Sequence, residues 1–150
     1  MSSVFEKLNL KQQQEILVVS APSSFEPELL TLKGVAVHRD PKELKAIHFA
    51  LVFVIKQAEV DTLSKVLTRK AEGDALLWFA YPKGTSKQYK CEFNRDTGWN
   101  AMRSAGFDTV RQVAIDEDWS ALRFRRLEYI KSPGVGSSSK PAVAAKKGSP

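Results

Sequence analysis

Hydrophobic residues in the first 130 positions occur in short runs that are separated by polar segments. Two of these runs, 15–19 and 47–55, are nearly continuous, which is typical of strands buried on both faces of a parallel sheet. Shorter runs predict four more strands, at 35–37, 75–81, 109–115 and 120–127. Even the longest run is strand-sized, because a membrane-spanning helix needs ~20 apolar residues. The pattern therefore predicts six strands and no membrane span.

The segments between the strands carry helical signals. The clearest helix is predicted at 56–71, where Val60, Leu63, Val66 and Leu67 form one apolar stripe and Gly73 ends the helix. A second helix, 25–32, has Ser24 as its predicted cap. The others are predicted to begin at Asp40, with Pro41 in the first turn, and to run from about 96 to 105.

This alternation of strands and helices favours a three-layer Rossmann-like α/β sandwich. The turn 116–118 is too short for a parallel crossover, so the last two strands must form an antiparallel hairpin. The predicted sheet is mostly parallel, with six strands in the order 2-1-3-4-6-5 and strand 5 as the antiparallel one. Residues 1–130 are predicted to form this single domain.

Residues 131–150 differ in composition from the rest. They consist mainly of Gly, Ser, Pro, Ala and Lys, and we expect a disordered basic tail. The chain carries a net charge of +6, of which four lysines of the tail supply +4, leaving +2 for residues 1–130. A domain at +2 has no compulsory polyanion partner, so nucleic acid is a candidate only through the tail. With one cysteine, Cys91, and no apolar leader, we expect a cytoplasmic protein.

Three segments resemble the class-I SAM-dependent methyltransferase fold, shortened here by one βα unit. Strand 16–20 is similar to the first strand of that fold, and 72–78 to the glycine turn and strand that follow its catalytic strand. Residues 113–124 correspond to the terminal hairpin. The resemblance implies a methyltransferase-like scaffold.

Three motifs are also similar to a family of short, uncharacterised bacterial Rossmann-like proteins. They read LWFAYPK at 77–83, RDTGW at 95–99 and DWSALRF at 118–124. The likeness covers roughly residues 8–127. It implies a bacterial protein, and it brings no established activity.

The turn after the first strand departs from the methyltransferase pattern. There the family has a glycine-rich loop, because only glycine lets the backbone approach the cofactor closely. Here residues 20–25 contain no glycine, and Pro22 lacks an N–H donor. Asp40, in the place of the acid that follows the second strand, is interpreted as a helix cap, with ribose binding as the alternative.

The other candidate residues each have a structural and a chemical interpretation. The loop at 83–87 lacks the order of a nucleotide-triphosphate motif, but Lys83, Lys87 and Arg95 form either an anion site or a solvated loop. Trp99 and Trp119 either pack the edge of the sheet or form an aromatic wall for a ligand. His48 is predicted to be a core residue, and Cys91 to be structural or exposed rather than nucleophilic.

These features favour a non-enzymatic binding or regulatory module that uses the crevice at the carboxyl ends of the strands, with no cofactor. Its partner would be a small anionic ligand or a protein. The alternative is a divergent SAM- or nucleotide-dependent transferase with Asp40, Lys56 and Lys83 near the ligand. A weaker reading is an accessory nucleic-acid binder. The candidate ligand-binding residues are Ser23, Ser24, Asp40, Lys56, Lys83, Lys87, Arg95, Trp99 and Trp119.

Overall fold

The computed structural model describes residues 4–94 and 96–130, and the predicted tail at 131–150 lies outside this part of the chain. The described elements are, in chain order, α1 (Val4–Lys7), β1 (Glu15–Val19), α2 (Glu26–Leu29), β2 (Ala36–His38), β3 (Ile47–Phe53), α3 (Gln57–Lys70), β4 (Ala71–Pro82), α4 (Asn100–Ser104), β5 (Phe107–Ala114) and β6 (Trp119–Arg126). Short 3₁₀ turns occur at Ser23–Phe25, Pro41–Glu43 and Leu127–Tyr129. None of the described helices is long and apolar enough to cross a membrane.

The six described strands form one mixed sheet in the order β2-β1-β3-β4-β6-β5. Strand β1 lies between β2 and β3 and pairs with both in parallel, and β3 pairs in parallel with β4. The predicted order is confirmed. The chain leaves β1 first to one side and then to the other, which creates a switch point between β1 and β3.

The hairpin at the end of the chain corrects one detail of the prediction. Strand β6 runs antiparallel to both of its neighbours, β4 and β5. The reversed strand is therefore β6, and the prediction that strand 5 is the antiparallel one is wrong. Because β5 takes the outer edge in the direction of the parallel strands, the short turn sends β6 back between β5 and β4.

Alternate side chains of β4 enter two separate cores. Leu77 and Phe79 pack with residues of α3 and α4, whereas Leu76 and Trp78 pack with residues of α1 and α2. We call the two sides of the sheet the α3 face and the α1 face. Since helices cover both faces, the three-layer α/β arrangement predicted from the pattern is confirmed.

The junction between α3 and β4 differs from the prediction. Helix α3 ends at Lys70, and β4 begins at once with Ala71, which is buried and pairs with Ile47. Gly73 therefore lies inside the strand, at φ +55°, where the register between β3 and β4 shifts. It does not end the helix; its left-handed backbone accommodates an irregularity of the strand.

The short helices are also shorter than predicted. Residues 23–25 form a 3₁₀ turn before α2, and no side chain caps either element, so Ser24 is not the predicted cap. Asp40 begins only one 3₁₀ turn, because Leu44 already has extended backbone. The predicted helix 96–105 is reduced to α4, since a turn at residues 94–97 and the left-handed Gly98 precede it.

Candidate ligand-binding edge of the sheet

Most of the candidate residues follow the carboxyl ends of the parallel strands. Asp40 comes after β2, Lys56 after β3 and Lys83 after β4. Phe53 of β3 pairs with Ala80 of β4, and Lys56 and Lys83 each follow their member of this pair by three residues. In open α/β sheets this edge is where ligands bind. The structure thus brings these three residues to one edge.

The turn after β1 has an unusual backbone. Ser20 adopts φ +58°, a left-handed conformation that non-glycine residues rarely take. Beyond it, the N–H of Phe25 donates to the carbonyl of Pro22 at 2.9 Å and closes the 3₁₀ turn. Ser23 and Ser24 are exposed on this turn. The turn therefore places two hydroxyl groups at the edge, and Pro22 contributes no N–H donor there.

Asp40 acts as the cap of its own turn. Its Oδ1 accepts a hydrogen bond from the backbone N–H of Lys42 at 2.9 Å. This interaction satisfies one of the donors that a helical turn leaves open at its start. The capping interpretation of Asp40 is confirmed, and its carboxylate is committed to the backbone.

The N-terminus of α3 is occupied by two carboxylates of this chain. Glu59 Oε1 accepts hydrogen bonds from the N–H groups of Ile55 and Lys56, both at 2.8 Å. Glu92, from the loop after β4, accepts from the N–H of Gln57 at 2.9 Å. Negative charge is favourable here, because the open N–H groups and the helix dipole carry partial positive charge. The backbone N–H groups that could bind an anionic ligand at the start of this helix are therefore already occupied.

The loop after β4 is fastened across the same edge. We call residues 83–99 the strap. At its start, Asp118 accepts hydrogen bonds from the hydroxyl of Ser86 at 2.8 Å and from the side-chain amide of Gln88 at 3.1 Å. Asp116 in turn accepts from the N–H groups of Asp118 and Trp119. Asp118 thus fixes the start of the strap, and Asp116 stabilises the 116–118 turn that carries Asp118.

The far end of the strap is fastened through Gly98. Its carbonyl accepts a hydrogen bond from Gln57 Nε2 at 2.7 Å. Gly98 has φ +95°, and a Cβ there would lie 2.7 Å from Phe93 Cβ and 2.7 Å from Gln57 Oε1. Only glycine fits this close contact between the strap and α3.

The two tryptophans do not share a surface. Trp99 is fully buried on the α3 face, and its indole N–H donates to the carbonyl of Asn94 at 2.8 Å. Trp119 is buried on the α1 face, against Phe53 and Tyr89, with ring centroids 5.1 and 5.0 Å away. Because the sheet separates them, they form no common wall. The buried Nε1 of Trp119 has no hydrogen-bond partner.

The lysines at this edge retain free charges. Within residues 4–94 and 96–130, the ammonium groups of Lys56, Lys83 and Lys87 make no hydrogen bond or salt bridge. Arg95, the other predicted cation, lies outside the described residues. Unpaired ammonium groups attract anions to an edge whose backbone donors at α3 are already taken.

The surroundings of the two histidines were not apparent in the sequence. His38 lies between two carboxylates, with Nε2 3.0 Å from Glu15 Oε1 and Nδ1 3.3 Å from Glu43 Oε1. His48 is exposed, so its prediction as a core residue is wrong. It is the second residue of β3, where the register with β4 shifts. It lines an open cavity of about 650 Å³ at the amino-terminal ends of β1 and β3. Only pairing between distant strands could reveal these groupings.

Cys91 lies on the strap and is partly buried. Burial raises the pKa of its thiol, and the nearby carboxylates of Glu92 and Glu59 raise it further. The thiol form is therefore favoured, which agrees with the prediction of a non-nucleophilic cysteine, because the thiolate is the reactive species.

Comparison with known proteins adds information at the level of the fold. No family model matches the sequence, and no curated protein matches it. Among solved structures, a SAM-dependent methyltransferase from Aquifex aeolicus matches with a TM-score of 0.57 and 14% identity, over 81% of this chain and 87% of that one. N-methyltransferase NodS from Bradyrhizobium japonicum WM9 matches with a TM-score of 0.51 and 12% identity, over 82% and 92%. The fold is that of the class-I SAM-dependent methyltransferases.

A third match shows how little this fold says about the reaction. The [4+2]-cyclase SpnF has a TM-score of 0.55 and 10% identity, over 82% of this chain and 78% of that one. A cyclase and methyltransferases thus share the scaffold. At such identities the likeness establishes the fold alone, and function has to be argued from the site.

Proposed function

We propose that this chain is a non-enzymatic binding or regulatory module that takes a small anionic ligand at the carboxyl edge of its sheet. The observation that carries the proposal is the use of Glu59 and Glu92 as caps of α3. Because these oxygens already accept hydrogen bonds from backbone N–H groups at the start of α3, neither carboxylate is directed at a ligand as a general base would be. Asp40, Asp116 and Asp118 are held in the same way by backbone or strap groups.

The cations and the unpaired indole at this edge support binding of an anion. Lys56 and Lys83 follow neighbouring strands, and their ammonium groups have no acidic partner in the described part of the chain. The buried N–H of Trp119 lacks an acceptor, and an unpaired buried donor carries a free-energy cost of about 1–3 kcal/mol. A ligand that displaces Tyr89 and accepts a hydrogen bond from Trp119 would remove that cost.

The alternative is a divergent SAM- or nucleotide-dependent transferase, and the shared fold is the observation in its favour. Against it stands the turn after β1, where Pro22 has no N–H and side chains replace glycine. A cofactor that cannot approach the backbone there would have to gain its affinity from adenine and ribose alone. We therefore expect SAM to bind no more tightly than about 1 mM.

Isothermal titration with SAM and with its demethylated product separates these two functions. The expected result is no saturable heat at micromolar concentrations. A micromolar constant for either compound, lost in the Asp40→Ala variant, would refute the non-enzymatic proposal and favour the transferase.

The binding proposal itself is tested by the indole ¹H–¹⁵N signal of Trp119. Titration with citrate and with 5′-AMP covers small anions without and with a planar ring. At least one should shift the Trp119 signal saturably, and Lys83→Gln should weaken its binding about tenfold, the equivalent of one lost charged hydrogen bond. Lys45→Gln, an exposed lysine before β3, is the matched control. If neither anion moves the signal, small-anion binding at this edge is wrong.

A further inference from the structure

Three arginines lie on the two strands of the terminal hairpin, β5 and β6. Arg111 of β5 pairs in register with Arg123 of β6, and Arg125 follows Arg123 two residues later on the same face. We call them the arginine cluster. Side chains directly opposite in an antiparallel pair have Cβ atoms about 5 Å apart, and like charges in that position destabilise the sheet. Such an arrangement calls for a compensating anion.

Within the described residues, the acidic side chains near the cluster are already engaged. Both oxygens of Asp74 accept from Arg125, at 2.8 Å from Nε and 2.6 Å from the terminal nitrogen. Arg123 reaches the same carboxylate only at 3.7 Å. Asp108, opposite Arg125 in register, is paired with Arg103. Arg123 and Arg125 therefore share one carboxylate, and Arg111 has no salt bridge to any described residue.

Arg123 is the least compensated of the three. Its side chain is only 13% exposed, and its neighbour across β4 is the fully buried Trp78. Its Nε is buried without a hydrogen-bond partner. Burial lowers the pKa of Arg123, Asp74 opposes this effect, and the charges of Arg125 and Arg111 lower the pKa further. Since arginine nevertheless stays charged, the fold holds a largely buried cation whose nearest carboxylate, Asp74, lies 3.7 Å away and is already hydrogen-bonded to Arg125.

Arg111 provides the open side of the cluster. It is exposed, and its guanidinium makes no hydrogen bond or salt bridge to any described residue. An incoming anion can therefore use the whole fork of Arg111 and share its charge with Arg123. The guanidinium of Arg125 already donates two hydrogen bonds to the carboxylate of Asp74.

We propose that the arginine cluster is a binding site for a phosphate group. A phosphate has three or four acceptor oxygens and up to two negative charges, so it can accept from two guanidinium groups in different orientations. The site is separate from the edge described above, because Arg123 lies four residues along β6 from Trp119, about 13 Å at the rise of a strand. Its ligand is a phosphate ester, either of a small molecule or of a nucleic-acid backbone.

The site is tested by titrating the full chain with inorganic phosphate while the Nε–Hε NMR signals of the arginines are recorded. The signals of Arg111 and Arg123 should shift saturably with a dissociation constant on the order of a millimolar. Arg111→Gln should weaken binding about tenfold, the equivalent of one charged hydrogen bond. Because Arg111 is exposed, this variant should keep the wild-type fold, which a thermal unfolding scan verifies.

Arg103→Gln is the matched control, since this exposed arginine on α4 pairs with Asp108. It should bind phosphate as the wild type does. No saturable shift of the Arg111 and Arg123 signals, or equal weakening in both variants, would overturn the proposal.

Two further ligands distinguish the sources of the phosphate. If 5′-AMP binds at the cluster as tightly as a ten-nucleotide oligothymidylate, the ligand is a small phosphate ester. If the oligonucleotide binds much more tightly, and Arg111→Gln lowers the slope of log K against log salt by about 1, the ligand is a nucleic-acid backbone. Binding of hexaglutamate at the cluster without binding of any phosphate would contradict the proposal.

Discussion

The strap and the arginine cluster differ in how completely their charged side chains are paired. At the strap, Glu92 accepts a hydrogen bond from the backbone of Gln57, and Asp118 accepts one from the strap residue Ser86. At the cluster, Arg123 and Arg125 share the single carboxylate of Asp74, and Arg111 has no salt bridge within the described residues. Both regions are polar and flank the same sheet. The carboxylates at the strap have hydrogen-bond donors within the protein, whereas the Nε of Arg123 in the cluster has no hydrogen-bond partner.

The difference shows why polarity alone does not identify a site. Buried or half-buried polar groups are normally paired within the protein, and those that are not need a separate explanation. The α/β fold directs attention to the carboxyl edge of the sheet, where open α/β sheets bind ligands. In this chain the larger electrostatic imbalance lies on the hairpin of β5 and β6. Substitutions in each region test this difference.

The largest effect is expected where the strap meets α3. Gly98→Ala should destabilise the domain by about 3 kcal/mol, because φ +95° is strained for alanine and its Cβ would overlap Phe93 and Gln57. Gly106→Ala is the control: its φ is similar, +90°, but a Cβ there meets no atom within 4 Å. It should cost about 1 kcal/mol. Urea unfolding measures both, and equal losses would mean that the strap is not closely packed.

Removing the carboxylate that the strap places on α3 should have a smaller effect. Glu92→Ala opens the N–H of Gln57 and should lower the free energy of unfolding by about 1 kcal/mol, as loss of a helix cap does. The exposed Glu117→Ala is the control and should change it by less than about 0.5 kcal/mol. A Glu92→Ala variant as stable as the control would show that the cap contributes nothing.

At the cluster the effect depends on pH. The hydrogen bonds from Arg125 hold the pKa of Asp74 below its usual range. A lowered pKa adds stability above the unfolded value, near 3.8, and this stability is lost as the pH falls through the lower folded value. Asp74→Asn should therefore be less stable than the wild type at pH 7, by about 1 kcal/mol or less because the pair is partly exposed, and equally stable near pH 2. A difference that persists in acid would rule out this ion pair as its source.

The smallest effect on stability is expected from residues 131–150. Truncation at Lys131 should change the free energy of unfolding by less than about 1 kcal/mol. If the chain binds nucleic acid, loss of the four tail lysines should reduce the log–log salt slope by at most about 4. A slope that is unchanged by truncation but reduced by Arg111→Gln would place the phosphate contacts at the cluster rather than on the tail.

Much of the fold follows from local patterns in the sequence. The runs at 15–19 and 47–55 contain strands β1 and β3 because a sheet covered on both faces buries most of their side chains, with Glu15 and His48 as exposed exceptions. The Asp40 cap was also correctly predicted, since its partner is two residues away. Gly73 and His48 were misjudged for one common reason. Both lie where the register between β3 and β4 shifts, and a register between distant strands leaves no local signal.

The candidate site was predicted less well than the fold. Lys56 and Lys83 were placed correctly at one edge, because parallel strands end together. Of the two interpretations of Trp99 and Trp119, packing against the sheet agrees with the structure, and the common wall does not, because the sheet separates the cores in which they lie. Glu92 was overlooked, since its role depends on a loop that folds back 35 residues to reach Gln57.

Local patterns and connection lengths were sufficient to predict the six strands, their order in the sheet and the absence of glycine from the first turn. These features depend on side-chain periodicity and backbone chemistry, which act between residues close in the chain. Which charged groups meet depended on the folded chain. Folding brings Glu92 to the N-terminus of α3 and Arg111 opposite Arg123, because charge pairing depends on distances across strands and loops that hydrophobic packing sets.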